Sequence, residues 1–188
     1  MKTSTAIILA GGSSSRMKRD KALIEIDGQP MIQHIYNQLI RYFQEVLISS
    51  NDPDKYGFLP ARIIKDRITG QGPLQGLYAA LSASESDLNF VTACDIPVIN
   101  MDLVQKLVLS ATGFDCVIPV AEPDRLEPLF AVYRKSVTVC IEEALTAGSR
   151  KISDIFTRCR VNFVDLEAGE KLWNINTPED FAQFRSTR

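Results

Sequence analysis

The sequence predicts an α/β fold: a mostly parallel sheet covered by helices on both faces. Two observations carry that reading. Short apolar runs alternate along the chain with segments whose apolar residues recur at helical spacing, the pattern of strands joined by crossover helices. Glycines and polar residues then follow the apolar runs, where the strands of such a sheet end and where ligands bind.

Taken in order, Thr5–Ala10 (TAIILA) reads as a first buried strand and runs straight into Gly11-Gly12. Ala22–Ile26 is a short extended piece closed by the turn pair Asp27-Gly28. Pro30 stands where a helix can begin, and Met31, Ile32, Ile35, Leu39, Ile40 and Phe43 follow at helical spacing. Glu45–Ser50 is a second strand and Arg62–Lys65 a third. Pro73–Ser82 is helical, with Leu74, Leu77, Tyr78 and Leu81 on one face. Leu88–Ala93 is another buried strand, ending at Cys94-Asp95. Asp102–Ala111 predicts a helix, Cys116–Val120 a strand and Leu129–Tyr133 another. Thr177-Pro178-Glu179-Asp180 is a helix start: Thr177 as N-cap, Pro178 at the first helical position, Asp180 in the place of a capping-box acid.

Composition bounds the function. The 188 residues fit one domain, and 45% hydrophobic with 23% charged residues is ordinary for a globular protein. Lys and Arg total 21 and Asp and Glu 23, a net charge of −2. No basic excess points to nucleic acid or to an anionic membrane, so a bound anion needs a local cluster. No apolar run approaches a membrane span, and Ala6–Ala10 is too short for a signal-peptide core. Cys94, Cys116, Cys140 and Cys159 are widely spaced with no CxxC pair, and read as buried free thiols of a cytoplasmic protein. His34 is the only histidine, which excludes a histidine-based metal cluster.

Four segments carry chemistry. In Leu9–Lys21 (LAGGSSSRMKRDK) a strand opens into two glycines, three serines and the cations Arg16, Lys18, Arg19 and Lys21. The stretch reads either as a flexible Gly/Ser turn with a solvated basic face or as a phosphate loop. Its place after the first buried strand favours phosphate, because glycines let backbone N–H groups approach an anion closely. Lys21 is a surface lysine or a ligand of the α-phosphate and leaving pyrophosphate; Asp20 either orients it or pairs with it. In Asp66–Gly76 (DRITGQGPLQG), Gly70, Gly72 and Gly76 surround Pro73 before an apolar helix, an ordinary loop or an anion or sugar site. Asp95, closing a buried strand, is either a turn-capping acid or a ligand of magnesium, which keeps only one or two carboxylates beside phosphate oxygens. Asn174 and Asn176, before the helix start, either contact an acceptor or shape the turn.

Together and in order, LAGGSSSRMKRDKAL, Asp66 with GPLQG, CDIP, EPLFAVY and NINTPED resemble the molybdenum cofactor guanylyltransferase family, the MobA-like branch of the nucleotidyltransferases. The matches run from residue 9 to residue 180. The resemblance implies a doubly wound, Rossmann-like domain spanning residues 1–188, with an NTP-binding half over about 1–100 and an acceptor half over about 101–188. It implies GTP and molybdopterin, with or without molybdenum, as small-molecule substrates. It leaves room for transient contacts with cofactor-biosynthesis or acceptor proteins. Position by position it implies Leu9, Ala10 and Gly11 near the base, Lys21 and Arg16 on the phosphates, and Asn51, Asp66, Gly72 and Asp95 in the nucleotide site. Asp95 is then the magnesium ligand, Asn174 and Asn176 lie near the pterin, and Arg150 and Lys151 hold the acceptor phosphate. Gly12 completes LAGG, where cytidylyl relatives prefer alanine, so GTP is expected over CTP. Lys18 departs from the family glycine and is expected to act weakly, as a screened surface charge.

The implied acceptor is a phosphate monoester, already ionised at neutral pH, which attacks the α-phosphorus without a general base. Positioning and charge neutralisation then dominate. Rival readings are a cytidylyl or sugar-nucleotide transferase, a nucleotide-binding regulator without chemistry, and a dinucleotide-binding dehydrogenase. The last is disfavoured because GxGxxG is absent.

Overall fold

A computed structural model describes residues 4–11, 20–66, 72–122, 125–167 and 170–187. Its strands are β1 (Thr5–Leu9), β2 (Glu25–Ile26), β3 (Gln29–Pro30), β4 (Glu45–Ser49), β5 (Arg62–Ile64), β6 (Leu88–Ala93), β7 (Cys116–Glu122), β8 (Arg125–Leu126), β9 (Phe130–Arg134) and β10 (Val161–Asp165). Its helices are α1 (Met31–Leu39), α2 (Pro73–Ala83), α3 (Met101–Leu109), α4 (Val137–Thr146) and α5 (Pro178–Ser186). The main sheet has the order β10-β7-β9-β6-β1-β4-β5, with β8 added to β7. All its neighbours along that path are parallel except β9, which runs antiparallel between β6 and β7.

This order reverses at β1. The chain builds outward from β1 to β4 and β5, then returns through α2 to lay β6 on the far side of β1. The crevice between the carboxyl ends of β1 and β6 is therefore the switch point at which such sheets bind ligands.

Two apolar layers cover the sheet, because its central strands are buried on both sides. Ala6 and Ile8 face α1, α3 and α5 through Ile32, Ile35, Leu39, Leu103, Val104, Leu107 and Phe184. Ile7 and Leu9 face α2 and α4 through Leu74, Leu77, Leu81, Val137 and Ile141. At about 25 cal/mol per Å² of apolar area, this burial is the main term holding the elements in place.

The sequence expectations hold with local corrections. The piece Ala22–Ile26 begins as a 3-10 turn, Lys21–Leu23, because the Asp20 carboxylate accepts from the Ala22 N–H at 2.9 Å. Pro30 ends β3 and caps α1 rather than opening it, and the helix stops at Leu39, four residues before Phe43. The third strand stops at Ile64, so Asp66 lies two residues beyond it. The helix expected from Asp102 starts at Met101, since the Asn100 side chain accepts from Asp102 and Leu103 N–H. Helix α4 and strand β10 were not expected. Of the four free cysteines only Cys116 is fully buried; Cys94, Cys140 and Cys159 are half-buried.

Candidate active site

The carboxyl ends of β1, β4 and β6 are locked side by side before any functional group is placed. Past the strands the ladder continues: Ala10 N–H donates to Ser49 O at 2.9 Å, Cys94 N–H to Leu9 O at 3.1 Å, and Ala93 N–H to Leu129 O at 2.9 Å. The loop after Asp95 is pinned from below by Gln38 of α1, which donates to Pro97 O at 2.8 Å and accepts from Ile99 N–H at 3.1 Å. A cleft opens above this rim, lined by Leu9, Ala10, Gly11, Lys21, Asp66, Gly72, Pro73 and Asp95 among others.

Lys21 is the centre of that cleft. Its ammonium donates to Asp95 Oδ2 at 3.2 Å and to Asn176 Oδ1 at 2.6 Å. Its side chain is 17% exposed and that of Asp95 22%. The Asp20 carboxylate is committed elsewhere: it pairs with Lys55, caps Ala22 and accepts from Tyr56 Oη at 3.4 Å. Asp20 therefore does not pair with Lys21, the alternative its sequence neighbourhood suggested. Tyr56 is buried, and its phenol is pushed well up by desolvation and by Asp20.

The opposite wall is the start of α2. Gly72 adopts φ +76°, ψ −173°, a conformation for glycine, and a Cβ there would lie 3.0 Å from Arg150 O. Pro73 opens the helix, and the next two amides are engaged: Leu74 N–H donates to Arg150 O at 3.4 Å and Gln75 N–H to Gly72 O at 3.3 Å. Gly76, one turn on, has Ser49 Oγ 2.9 Å from the position of a Cβ, so only a glycine lets β4 and α2 come this close. Asp66 sits between them and is held by Asn51: Asn51 Nδ2 donates to Asp66 Oδ2 at 2.9 Å, and Asp66 N–H to Asn51 Oδ1 at 3.0 Å.

Of the residues singled out in the sequence, Leu9, Ala10, Gly11, Lys21, Asp66, Gly72 and Asp95 line one cleft. Asn51 stands behind Asp66, and Asn176 reaches Lys21. Asn174 is half-buried on the approach to Asn176. Arg150 and Lys151 have exposed side chains; the Arg150 carbonyl backs Gly72 and accepts from Leu74 N–H at 3.4 Å. Gly12, Arg16 and Lys18 lie outside the described residues. The sequence reading missed Ser49, Cys94 and Leu129, which also line the cleft. Their signal was only position: Ser49 ends β4, Cys94 follows β6 and Leu129 stands just before β9.

The donor set bears on magnesium. Among the described residues no group of three or more His, Cys, Asp or Glu can hold a metal. Asp20 and Asp66 are engaged with Lys55 and Asn51, which leaves Asp95 as the cleft carboxylate that, among the described residues, is bonded to the Lys21 ammonium alone. One hard oxygen donor does not make a protein cage, but it suits a magnesium carried in on phosphate oxygens. Nucleophilic or basic catalysis by Cys94 does not suit the site: burial, then Asp95 and Asp20, push its thiol up to about 12.

The family described as the MobA-like NTP transferase domain matches residues 6–161. The chain belongs to this family. As a MobA-like transferase it is 37% identical to a probable molybdenum cofactor guanylyltransferase of Pelotomaculum thermopropionicum, covering 98% of this chain and 93% of that one. It is 34% identical to the molybdenum cofactor guanylyltransferase of Vibrio parahaemolyticus, covering 95% and 93%. The crystal structure of molybdopterin-guanine dinucleotide biosynthesis protein A from Archaeoglobus fulgidus superposes with a TM-score of 0.84 at 26% identity, covering 98% of this chain and all of that one. The doubly wound nucleotidyltransferase fold is thus shared along essentially the whole chain.

Proposed function

We propose that this MobA-like transferase moves GMP from GTP to the phosphate of molybdopterin or the molybdenum cofactor, giving the guanine dinucleotide cofactor and pyrophosphate. The observation that carries the transfer chemistry is the Lys21 ammonium, held in a cleft between the Gly11 and Gly72 loops at the switch point of the sheet. The acceptor follows from the relatives' activities. Leu9, Ala10 and Gly11 receive the base, and Asp66, braced by Asn51, takes the nucleoside side of the cleft. The Lys21 ammonium meets the phosphates, with the start of α2 as the wall opposite. The cleft contains no histidine among the described residues, and its thiol stays protonated. That suits an acceptor that needs no base.

In the step itself an acceptor phosphate oxygen bonds to the α-phosphorus while the bond from that phosphorus to the bridging oxygen breaks, and pyrophosphate leaves. Lys21 and Arg16 stabilise the charge that accumulates on the leaving group. Asp95 is the residue that would hold magnesium, which when bound would supply charge neutralisation there. Arg150, Lys151, Asn174 and Asn176 form the acceptor side, in the half beyond about residue 101. The enzyme works on small molecules in the cytoplasm, meeting cofactor-biosynthesis or acceptor proteins transiently. Among its described residues no helix is long and apolar enough to cross a membrane.

One assay tests the proposal. The protein is incubated with magnesium, molybdopterin and each NTP in turn, and products are identified by mass. The guanine dinucleotide with stoichiometric pyrophosphate is expected, with GTP preferred over CTP. Equal or better turnover with CTP would make it a cytidylyltransferase on the same pterin.

A further inference from the structure

The ordered segment before α5 does more than end the fold. Leu172 and Ile175 are buried in the layer containing α1, α3 and α5, and Trp173 packs edge-on against Phe184 at 5.9 Å between ring centroids. Ile175 N–H donates to the Asp95 carbonyl at 2.9 Å, so this segment is tied to the backbone of the very residue whose side chain pairs with Lys21. The Asp180 carboxylate then accepts from both Asn176 N–H, at 2.9 Å, and Thr177 N–H, at 2.8 Å. Residue 176 is thereby fixed at its backbone by a helix cap. Its exposed side chain crosses 155 positions of sequence to reach Lys21.

The chemistry of that contact has one sense. A lysine ammonium can only donate, so the Asn176 amide must turn its oxygen to Lys21 and its NH₂ away. We infer that Asn176 is a positioning residue for Lys21: the acceptor half of the protein, through one amide oxygen, sets where the nucleotide lysine stands. The inference rests on the nucleotidyl-transfer reading above and deepens it. Asp95 holds the ammonium from one side. Asn176 supplies a second direction, and does so without a charge that would repel a triphosphate. The outward NH₂ remains available to donate to an anionic oxygen of the acceptor, so both substrates meet one side chain.

A double-mutant cycle on nucleotide binding tests it. GTP affinity, with magnesium, is measured by calorimetry for the wild type, Asn176→Ala, Lys21→Met and the double variant, with melting temperatures recorded alongside. Asn176→Ala is expected to weaken GTP about three- to tenfold in the wild-type background and to do nothing further once Lys21→Met is present. Where Asn176→Ala fails to fold, Asn176→Asp takes its place. It keeps the oxygen and the cap, and its effect on affinity must likewise depend on Lys21. Additive effects, or unchanged GTP affinity in Asn176→Ala, overturn the inference and leave Asn176 as an acceptor contact or a turn residue. Because the readout is binding, failure to form a dinucleotide product does not obscure it. A protein that takes CTP instead is put through the same cycle with CTP, and binding of neither nucleotide overturns it as well.

Discussion

Asp95 is where the two sequence readings of one residue part company in measurable ways. It accepts from Lys21 at 3.2 Å and is 22% exposed, which is compatible with a structural ion pair and with a ligand awaiting a cation. Asp95→Asn keeps the shape and an oxygen for the ammonium but removes the charge that a cation needs. Turnover is expected to fall on the order of a hundredfold or more, the cost of one strong transition-state contact, with the melting temperature held. Single-turnover rate and melting temperature on the same preparation decide it; a destabilised but fully active variant leaves Asp95 a structural partner only. At this scale the sequence was legible where a residue's neighbours in space are its neighbours in a motif. Gly11, Asp66, Gly72 and Asp95 were found because each follows a strand or precedes a helix, and Lys21 because it closes the cation cluster of LAGGSSSRMKRDK. The partner of Lys21 was not legible. Asp20 is adjacent in sequence, but at the 3-10 turn it faces Lys55 and Tyr56, while Asn176 arrives from the far end of the chain.

The start of α2 shows how an element imposes a residue choice. Gly72→Ala puts a Cβ in the left-handed region and 3.0 Å from Arg150 O, so the first turn of α2 or the strand-end loop must shift. Gly113→Ala shares the positive φ, at +82°, but its Cβ meets open space far from the cleft residues. Both variants are expected to lose stability, about 1–3 kcal/mol by the usual cost of such strain. Only Gly72→Ala is expected to lose nucleotide affinity as well. Denaturant titration and nucleotide binding on the pair separate strain from site geometry, and equal affinity losses would remove α2 from the nucleotide site. Element reading succeeded where burial was complete: β6 was bounded correctly from its apolar run, and the Thr177 capping box is present with both of its bonds. It failed for α4, which opens on the β-branched Val137, Thr138 and Val139, and for β10, an edge strand none of whose five residues is fully buried.

At the scale of the whole molecule, ion pairs brace the rim opposite the cleft as well. The cleft occupies the carboxyl ends of β1, β4 and β6, whereas the ion pairs Asp87–Arg134 and Asp115–Arg160 hold the opposite edge, where β6 and β7 begin. Asp115 accepts from the Arg160 guanidinium and backbone N–H and from Ser136 Oγ, and Arg160 above all draws its carboxyl down from 3.8 to about 2. A folded value below the unfolded one stabilises the protein fully above the ordinary carboxylate range, and that stability is lost as pH falls through the window from 3.8 to about 2. Asp115→Asn is expected to melt lower at neutral pH and to show a flatter profile across that window. Melting curves that stay parallel to the wild type would show that the pair contributes nothing. The wide separation between Lys21 and Asn176 also has a consequence in time. A ribosome delivers Lys21 155 residues before Asn176, about eight to thirty seconds earlier at ordinary elongation speeds. By the later part of that interval the nascent chain carries β1, β4, β5 and β6 but still lacks the amide that seats its lysine. Full affinity for nucleotide thus comes only at the end of synthesis, when the segment before α5 folds back, and until then the unfinished chain is expected to hold GTP about three- to tenfold more weakly.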